Sequence, residues 1–343
     1  MTREPVLTFT DRGIYCAAGD FFIDPWRPVE RALITHGHAD HARPGHARYL
    51  ATHLALPVMR YRLGNITAQG VDYGEVLEIG GAQVSFHPAG HVPGSAQIRV
   101  AVKGEVWVAS GDYKTQDDGL SDPFEPQTCH HFITESTFGL PVFRWQPQAR
   151  VAAELNAWWR ACAEAGKTAF LGAYSLGKAQ RLLHMLDPDI GPILTHSAVE
   201  GTNTVLRGQG IALPETTQLT KDTDPKTHRG ALVLAPPSAL GSTWAKRFGP
   251  SESAFASGWM QLRGIRRRRA GDRGFVISDH ADWPGLLQAI RATEAENIYV
   301  THGYTEVFAR YLTDAGWNAQ VVPTAFGDTP DDAEEASEAE GAS

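Results

Sequence analysis

The sequence predicts a protein of the α/β (α+β) class, in which a β-rich part is interrupted by an α/β insertion and then resumes. Residues 1–135 contain short apolar strands that are separated by Gly, Pro and Asp. From Pro147 onward the apolar pattern changes to an alternation of helices and strands. We therefore expect a first part at 1–146, an insertion at 147–260, a return segment at 261–326 and an acidic, disordered tail at 327–343.

Five stretches of the first part predict strands, because each is apolar or β-branched and is bounded by turn-forming residues. Several of them end directly on a His, Asp or Glu. The predicted strands are Arg31–Thr35, Gln83–His87, Ala96–Val102, Val106–Ser110 and His131–Thr134.

The insertion opens with a helix. Its apolar residues recur at helical spacing from Gln148 to Ala165, and Gly166 ends the pattern. Trp158 and Trp159 lie within this helix, where we expect them to be core or interface residues rather than surfaces on which nucleic-acid bases stack.

Shorter elements follow the first helix. Thr168–Gly172 predicts a strand, and Ser175 is the predicted N-cap of a second helix, Ser175–Leu186. The remaining predicted elements are strands Pro192–Thr195, Ala231–Ala235, Ala254–Ser257 and Gly274–Ser278, helix Pro284–Thr293, strand Asn297–Thr301, helix Glu306–Ala315 and strand Gln320–Pro323.

The composition is that of an ordinary globular protein. Of 343 residues, 42% are hydrophobic and 20% are charged. The sequence contains no apolar run long enough for a membrane span, and because no apolar stretch follows Met1–Pro5 we expect no export signal. Cys16, Cys129 and Cys162 show no C-x-x-C spacing, which fits a reduced compartment. We therefore expect a cytoplasmic protein without a membrane partner.

Charge is unevenly distributed along the chain. The formal net charge is −8, but residues 328–343 hold seven acids and no Lys or Arg. Without those seven, the chain has 31 basic and 32 acidic residues, so charge does not exclude a phosphate-rich ligand. Residues 258–275 are instead strongly basic. Such a run forms either a solvated face or a surface that contacts phosphates. Its six arginines are Arg263, Arg266, Arg267, Arg268, Arg269 and Arg273.

A histidine-rich loop follows the strand predicted to end at Thr35. His36, His38, Asp40 and His41 fall within six residues and are spaced by Gly and Ala. Neutral imidazole and carboxylate groups are the ligands that suit zinc and similar divalent ions. A loop at a strand end lets alternate side chains point at two places, so this motif predicts a metal site.

Further candidate ligands stand at other predicted strand ends. His91, Asp112 and His302 each lie in a Gly-containing turn, where backbone and ion approach closely. Together with the loop at 36–41 they supply seven ligands, which suffice for two ions that share one bridging carboxylate. Two such ions stabilise both the attacking and the leaving oxygen of a phosphoryl displacement.

These residues resemble the metallo-β-lactamase superfamily, whose fold is an αββα sandwich with a dimetal site at one edge. Thr134-Glu135-Ser136-Thr137 and the Ser278–Asp282 segment, which precedes Val300–Gly303, resemble further motifs of its β-CASP nuclease branch. The resemblance implies that 1–146 and 261–326 form the metallo-β-lactamase domain. It also implies that 147–260 is an inserted β-CASP-like α/β domain.

The same resemblance implies a role for each site residue. His36, His38 and His91 would hold one ion, while Asp40, His41 and His302 would hold the other. Asp112 would bridge the ions, Asp24 would orient a ligand histidine, and His280 with Glu135 would contact the scissile phosphate or protonate the leaving oxygen. Asp40, Asp112, His280 and Glu135 are thus the predicted catalytic residues. Zinc is the expected metal, with manganese as the alternative.

Two segments resemble particular subfamilies within the β-CASP nuclease branch. Tyr174–Gln180 resembles Artemis-type DNA nucleases, and the arginine run that leads to Asp279 and His280 is similar to bacterial DNA ligase-associated exonucleases. This implies a DNA exonuclease in which a hydroxide held by two ions hydrolyses phosphodiester bonds during DNA repair. An ATP-dependent DNA ligase and a helicase are the implied partners. The predicted DNA contacts are Ser175, Lys178, Arg266, Arg267, Arg268 and Arg269.

Three alternatives remain open at this stage. An RNA-processing β-CASP ribonuclease would carry the same motifs. A small-molecule metallohydrolase of the thioesterase or lactamase type would explain the ligands but not Glu135, His280 or the arginines. A non-catalytic nucleic-acid-binding protein would not require the complete ligand set.

Overall fold

The computed structural model describes residues 5–224, 227–240, 242–269 and 271–324. The predicted tail at 327–343 lies outside these residues. No helix of the described chain is sufficiently long and apolar to cross a membrane.

The elements of the first part are strands β1 (Thr8–Phe9), β2 (Ile14–Cys16), β3 (Phe21–Ile23), β4 (Arg31–Leu33) and β5 (Arg48–Thr52), helix α1 (Leu56–Leu63), and strands β6 (Ala68–Val71), β7 (Leu77–Ile79), β8 (Ala82–Pro88), β9 (Ala96–Val102), β10 (Glu105–Ala109) and β11 (His131–Ser136). The middle of the chain contains α2 (Gln148–Glu164), β12 (Thr168–Gly172), α3 (Lys178–Met185), β13 (Ile193–Thr195), α4 (Ser197–Gly208), β14 (Thr217–Gln218), β15 (Leu232–Ala235), β16 (Ser251–Ala256), α5 (Arg263–Arg269) and β17 (Arg273–Phe275). The chain continues with α6 (Trp283–Ala292), β18 (Asn297–Gly303), α7 (Thr305–Asp314) and β19 (Asn318–Val321).

The predicted mixed α/β class is confirmed, and strands Ala96–Val102 and Thr168–Gly172 have the predicted bounds. Other predicted bounds differ by one to three residues, and two of these differences concern named predictions. Ser175 is not an N-cap, because α3 begins at Lys178 and the Gln180 side chain accepts the Gly177 N–H at 2.8 Å. Ser278 does not end a strand, because β17 stops at Phe275.

The chain divides into two compact units, one that runs up to Phe143 and resumes at Asp279, and one from Arg144 to Ser278. The first unit contains a six-stranded sheet, ordered β1-β2-β3-β4-β5-β6, and a seven-stranded sheet, ordered β19-β18-β11-β10-β9-β8-β7. Leu33 and Leu50 of the first sheet and Val100 and Trp107 of the second belong to one buried core. The two sheets therefore pack face to face.

Helices cover the other face of each sheet in this unit. Leu56 and Met59 of α1 pack with Ala32 of β4. Leu286 of α6 and Phe308 of α7 pack with residues of the second sheet, including Phe132 and Ile298. Each sheet is thereby covered on both faces, which explains why strands such as β4 and β11 bury consecutive side chains.

The second unit is built on a parallel sheet ordered β14-β13-β15-β12-β16-β17. Trp158 and Trp159 of α2 are buried in its core, as predicted. Trp159 also donates its indole N–H to the Gly230 carbonyl at 2.9 Å, so burial leaves this polar group satisfied. The assignment of 147–260 as an inserted β-CASP-like domain stays a prediction.

In the first unit, the parallel direction of neighbouring strands places the predicted site residues at the same edge of the sheets. Strands β10, β11 and β18 are parallel neighbours, so their carboxyl ends lie at one edge of the second sheet. Asp112 follows β10, Glu135 lies near the end of β11, and His302 lies near the end of β18. In the first sheet β3 and β4 are also parallel, and Asp24 and His36 follow their carboxyl ends.

A pair of glycines tests how tightly the His91 loop is packed. Gly94 (φ +83°) lies so close to α1 that an added Cβ would sit 2.5 Å from the Ala55 nitrogen, whereas Gly104 (φ +85°) has nothing within 4 Å. Both substitutions to Ala carry the left-handed backbone cost of about 1–2 kcal/mol. We expect Gly94→Ala to lower the free energy of unfolding by roughly 2 kcal/mol more than Gly104→Ala, measured by urea denaturation. Equal midpoints for the two variants would contradict this packing.

Candidate metal centre

The histidine-rich loop is held at its start by Thr35 and Asp24. Asp24 adopts φ +41°, in the left-handed region that Asp tolerates better than most residues. Its carboxylate accepts the Thr35 backbone N–H at 2.8 Å and the Thr35 hydroxyl at 2.6 Å. Arg62 of α1 donates to the Gly37 carbonyl in the middle of the loop. The loop therefore has a fixed conformation that is supported by two neighbouring segments.

Three imidazoles converge on one point. His36 Nε2 and His91 Nε2 each lie 3.1 Å from His38 Nδ1. Asp112 Oδ2 lies 3.5 Å from His36 Nε2 and 3.9 Å from His91 Nε2. Ligand atoms around a tetrahedral zinc ion with bonds of 2.0–2.1 Å are about 3.3 Å apart, so the spacing fits. We call these four residues the first donor group.

A second donor group comprises Asp40, His41, Asp112 and His302. One donor atom from each lies within 4.8 Å of the others. His41 Nε2 is 3.4 Å from Asp112 Oδ2 and 3.5 Å from Asp40 Oδ2. Asp112 belongs to both groups, and its Oδ1 is buried without a hydrogen-bond partner among the described residues. A buried carboxylate with an unused oxygen is suited to bind a cation.

Two histidines are oriented by groups behind them. His41 Nδ1 lies 2.8 Å from Asp24 Oδ2, and His91 Nδ1 lies 3.0 Å from the Asp279 carbonyl oxygen. In each ring, this contact leaves Nε2 facing its donor group. Such partners fix the tautomer and the ring angle of metal-binding histidines. The sequence suggested Asp24 for this role but gave no signal for the Asp279 backbone.

Burial and neighbouring charges shift the pKa values of the cluster. Burial lowers the pKa of His36 and of His91 well below the usual value. Burial also acts to lower the pKa of His41, but Asp40, Asp112 and Asp24 outweigh it and raise this pKa well above the usual value. For Asp112, burial acts to raise the pKa, yet His41 foremost holds it well below its ordinary range. Neutral His36 and His91 beside an ionised Asp112 are in the state that divalent cations bind.

Glu135 and His280 form a pair next to Asp112. His280 Nδ1 lies 2.9 Å from Glu135 Oε2, while Tyr113 N–H and the Thr137 hydroxyl donate to Glu135 at 2.8 and 2.5 Å. Both Glu135 oxygens are thus engaged, and the side chain is buried. This geometry lets Glu135 position His280, and its catalytic role stays a prediction.

The structure places the predicted DNA contacts in the second unit. Ser175 precedes α3, and Lys178 is only 2% exposed, with its Nζ 4.4 Å from the Tyr174 ring centroid. A buried lysine stacked on an aromatic ring is not an open phosphate contact. The arginines of α5 differ from the buried Lys178, because Arg266, Arg267 and Arg268 are exposed. Arg266 also donates to the Gly274 carbonyl at 2.7 Å. The side chain of Arg269 lies outside the described parts.

No family model matches the sequence. A probable DNA ligase of Opitutus terrae is 28% identical over 314 residues, which cover 90% of this chain and 30% of that protein. Ribonuclease TTHA0252 of Thermus thermophilus is 28% identical over 197 residues, or 48% of this chain and 44% of that protein. RNase aCSPSF2 of Saccharolobus solfataricus is 30% identical over 131 residues, or 37% of this chain and 26% of that protein. The chain thus spans less than half the length of each of these relatives.

A solved structure shares the fold. The crystal structure of a protein of unknown function from Enterococcus faecalis V583 superposes with a TM-score of 0.54 at 11% identity, over 87% of this chain and 80% of that one. At this identity the likeness concerns the fold alone. The curated relatives support, at modest identity, the family resemblance of the sequence motifs.

Asp24 offers a test of the metal centre. Asp24→Asn keeps the side-chain shape and the tolerance for a left-handed backbone, but it removes the charge that faces His41. We expect zinc affinity to fall roughly 10–100-fold, as for other groups that orient a metal ligand. Competition with a chelating dye measures the affinity, and circular dichroism checks the fold. Unchanged zinc affinity in a folded variant would show that Asp24 does not support a metal ligand.

Proposed function

We propose that this protein is a metal-dependent nuclease of the β-CASP branch of the metallo-β-lactamase superfamily and that it hydrolyses DNA. The observation that carries the proposal is the arrangement around Asp112: two donor groups share its carboxylate, and the Glu135–His280 pair lies beside them. In this proposal the unit that runs up to Phe143 and resumes at Asp279 would be the metallo-β-lactamase domain, and the unit Arg144–Ser278 would be the inserted β-CASP-like domain.

The two donor groups would hold two divalent ions, with zinc expected and manganese as the alternative. His36, His38 and His91 would hold one, Asp40, His41 and His302 the other, and Asp112 both. When bound, such ions supply a water of lowered pKa and offset negative charge on a phosphate. The donor set fits them, because it is rich in imidazole and carboxylate and already closely spaced.

His280 is the residue that we assign to the substrate. Its Nδ1 faces Glu135, and we assign its Nε2 to a bond with a phosphate oxygen or to protonation of the leaving oxygen. Glu135 would hold the ring at this angle and stabilise its charged form. The Tyr113 N–H and the Thr137 hydroxyl would in turn hold Glu135.

Two observations support DNA as the substrate. The match to the probable DNA ligase covers 90% of this chain, whereas the matches to the two ribonucleases cover 48% and 37%. The exposed arginines of α5 form a basic surface suited to a phosphate backbone. We further propose that the chain acts as an exonuclease in repair alongside a DNA ligase. RNA processing is the second candidate, because the names of two relatives specify ribonucleases.

A direct assay tests this function. The purified protein, stripped with chelator and reloaded with Zn²⁺ or Mn²⁺, is incubated with end-labelled single- and double-stranded DNA and RNA. We expect metal-dependent release of short products from DNA ends. Asp112→Asn is the matched inactive control, because it keeps the side-chain shape but removes the shared charge. Cleavage of RNA alone would establish the second candidate, and no cleavage of either polymer in a protein that binds two ions would overturn the proposal.

A variant of His280 separates its role from metal binding. His280 belongs to neither donor group, so His280→Ala should keep the metal content and the fold. DNA cleavage should slow by roughly 10²–10⁴, the usual contribution of one positioned acid or base. Hydrolysis of bis(p-nitrophenyl) phosphate should suffer much less, because its leaving group departs without a proton. Loss of one ion per chain would instead make His280 a ligand.

A further inference from the structure

Ser136 bonds the backbone of His302, a member of the second donor group. Ser136 is the last residue of β11 and is fully buried. Its hydroxyl lies 2.6 Å from the His302 carbonyl oxygen and 3.3 Å from that of Thr301, so the donated bond goes mainly to His302. The Ser136 carbonyl in turn accepts the Tyr304 N–H at 3.0 Å. Ser136 thus ties the chain on both sides of Gly303.

The pairing of β11 with β18 is irregular at this position. Glu135 pairs with Thr301, but Ser136 pairs with Gly303, so His302 is an extra residue in a β-bulge. His302 adopts φ +53°, which is uncommon for a residue other than Gly. Gly303 adopts φ +91°, and a Cβ there would lie 2.4 Å from the Ser136 carbonyl oxygen. The bulge therefore depends on close contact between Ser136 and the Gly303 backbone.

The bulge determines where the His302 side chain points. Successive side chains of a regular strand alternate between the two faces of the sheet, and an extra residue changes that alternation. Here the His302 ring lies parallel to that of His41, at 10° and 6.2 Å between centroids, and joins Asp40 and Asp112. The unusual backbone of His302 is thus coupled to its place in the second donor group.

We infer that Ser136 is a positioning residue for the second donor group and that its hydroxyl holds His302 in the conformation that completes this group for a divalent cation. The inference rests on the proposed function, because it assumes that the two groups bind ions. It concerns the second group, since the bonds that the Ser136 hydroxyl donates go to the β18 backbone at Thr301 and His302.

Zinc titration of the chelator-treated full chain tests this role. Ser136→Ala should weaken the second zinc equivalent roughly tenfold, at the lower end of the range for groups that orient a metal ligand, and leave the first equivalent unchanged. Ser136→Thr keeps the hydroxyl and should restore the second equivalent. A chelating dye reports both affinities, and metal analysis after gel filtration gives ions per chain.

Ser85→Ala is the matched control. Ser85 is a buried serine of the same sheet, and its hydroxyl lies 2.9 Å from His87 Nε2, which belongs to neither donor group. We expect this variant to bind both zinc ions as the unmodified protein does. Thermal unfolding of every variant in EDTA measures stability without metal and separates a general loss of packing from a loss at one group.

Each outcome has a distinct meaning. A second zinc equivalent that binds Ser136→Ala as tightly as the unmodified protein would overturn the inference. Equal weakening of both equivalents, with a lower melting temperature in EDTA, would also overturn it, because the hydroxyl would then act only on the fold. An unmodified chain that binds neither zinc nor manganese would instead overturn the proposed function.

Discussion

The site is organised around one buried carboxylate. Asp112 Oδ2 lies 3.4 Å from a histidine nitrogen of the second donor group and 3.5 Å from one of the first. A buried negative charge is costly unless cations or hydrogen-bond donors surround it. The carboxyl ends of β10, β11, β18, β3 and β4 bring those partners together from two sheets. The strand directions thus determine which groups surround the Asp112 carboxylate.

Three of the imidazole rings near Asp112 are supported from behind by different parts of the chain. Asp24 supports His41, the Asp279 carbonyl supports His91, and Glu135 supports His280. These three groups differ in kind, since two are carboxylates and one is a backbone carbonyl. They act alike, because each engages Nδ1 of its ring, and for His41 and His91 this leaves Nε2 facing a donor group. A shift of any supporting segment therefore moves a ring nitrogen without changing the donor set.

Much of this arrangement was visible in the sequence. Three histidines and an aspartate in six residues have few explanations other than a metal, and apolar strands that end on His or Asp indicated the shared edge. The prediction of Ser175 as the N-cap of α3 was wrong. The hydrogen bond from the Gly177 N–H to the Gln180 side chain, not local propensity, decides where the helix begins. The roles of Ser136 and Thr137 could not be predicted, because they depend on hydrogen bonds to the His302 backbone and to the Glu135 carboxylate. Cross-strand register and the bulge at His302 depend on a partner strand more than 150 positions away.

The order of the chain has a consequence for the newly made protein. The loop at 36–41, His91 and Asp112 all lie in the first third of the chain. All members of the first donor group are therefore synthesised early. His302 follows about 190 residues after Asp112, and the Asp279 carbonyl that steadies His91 also comes late. A nascent chain therefore carries all four members of the first donor group for much of its synthesis, while the second group still lacks His302. Ions would therefore enter the two donor groups at different times. Asp112 would bridge two ions only after the last strands of the sheet have formed.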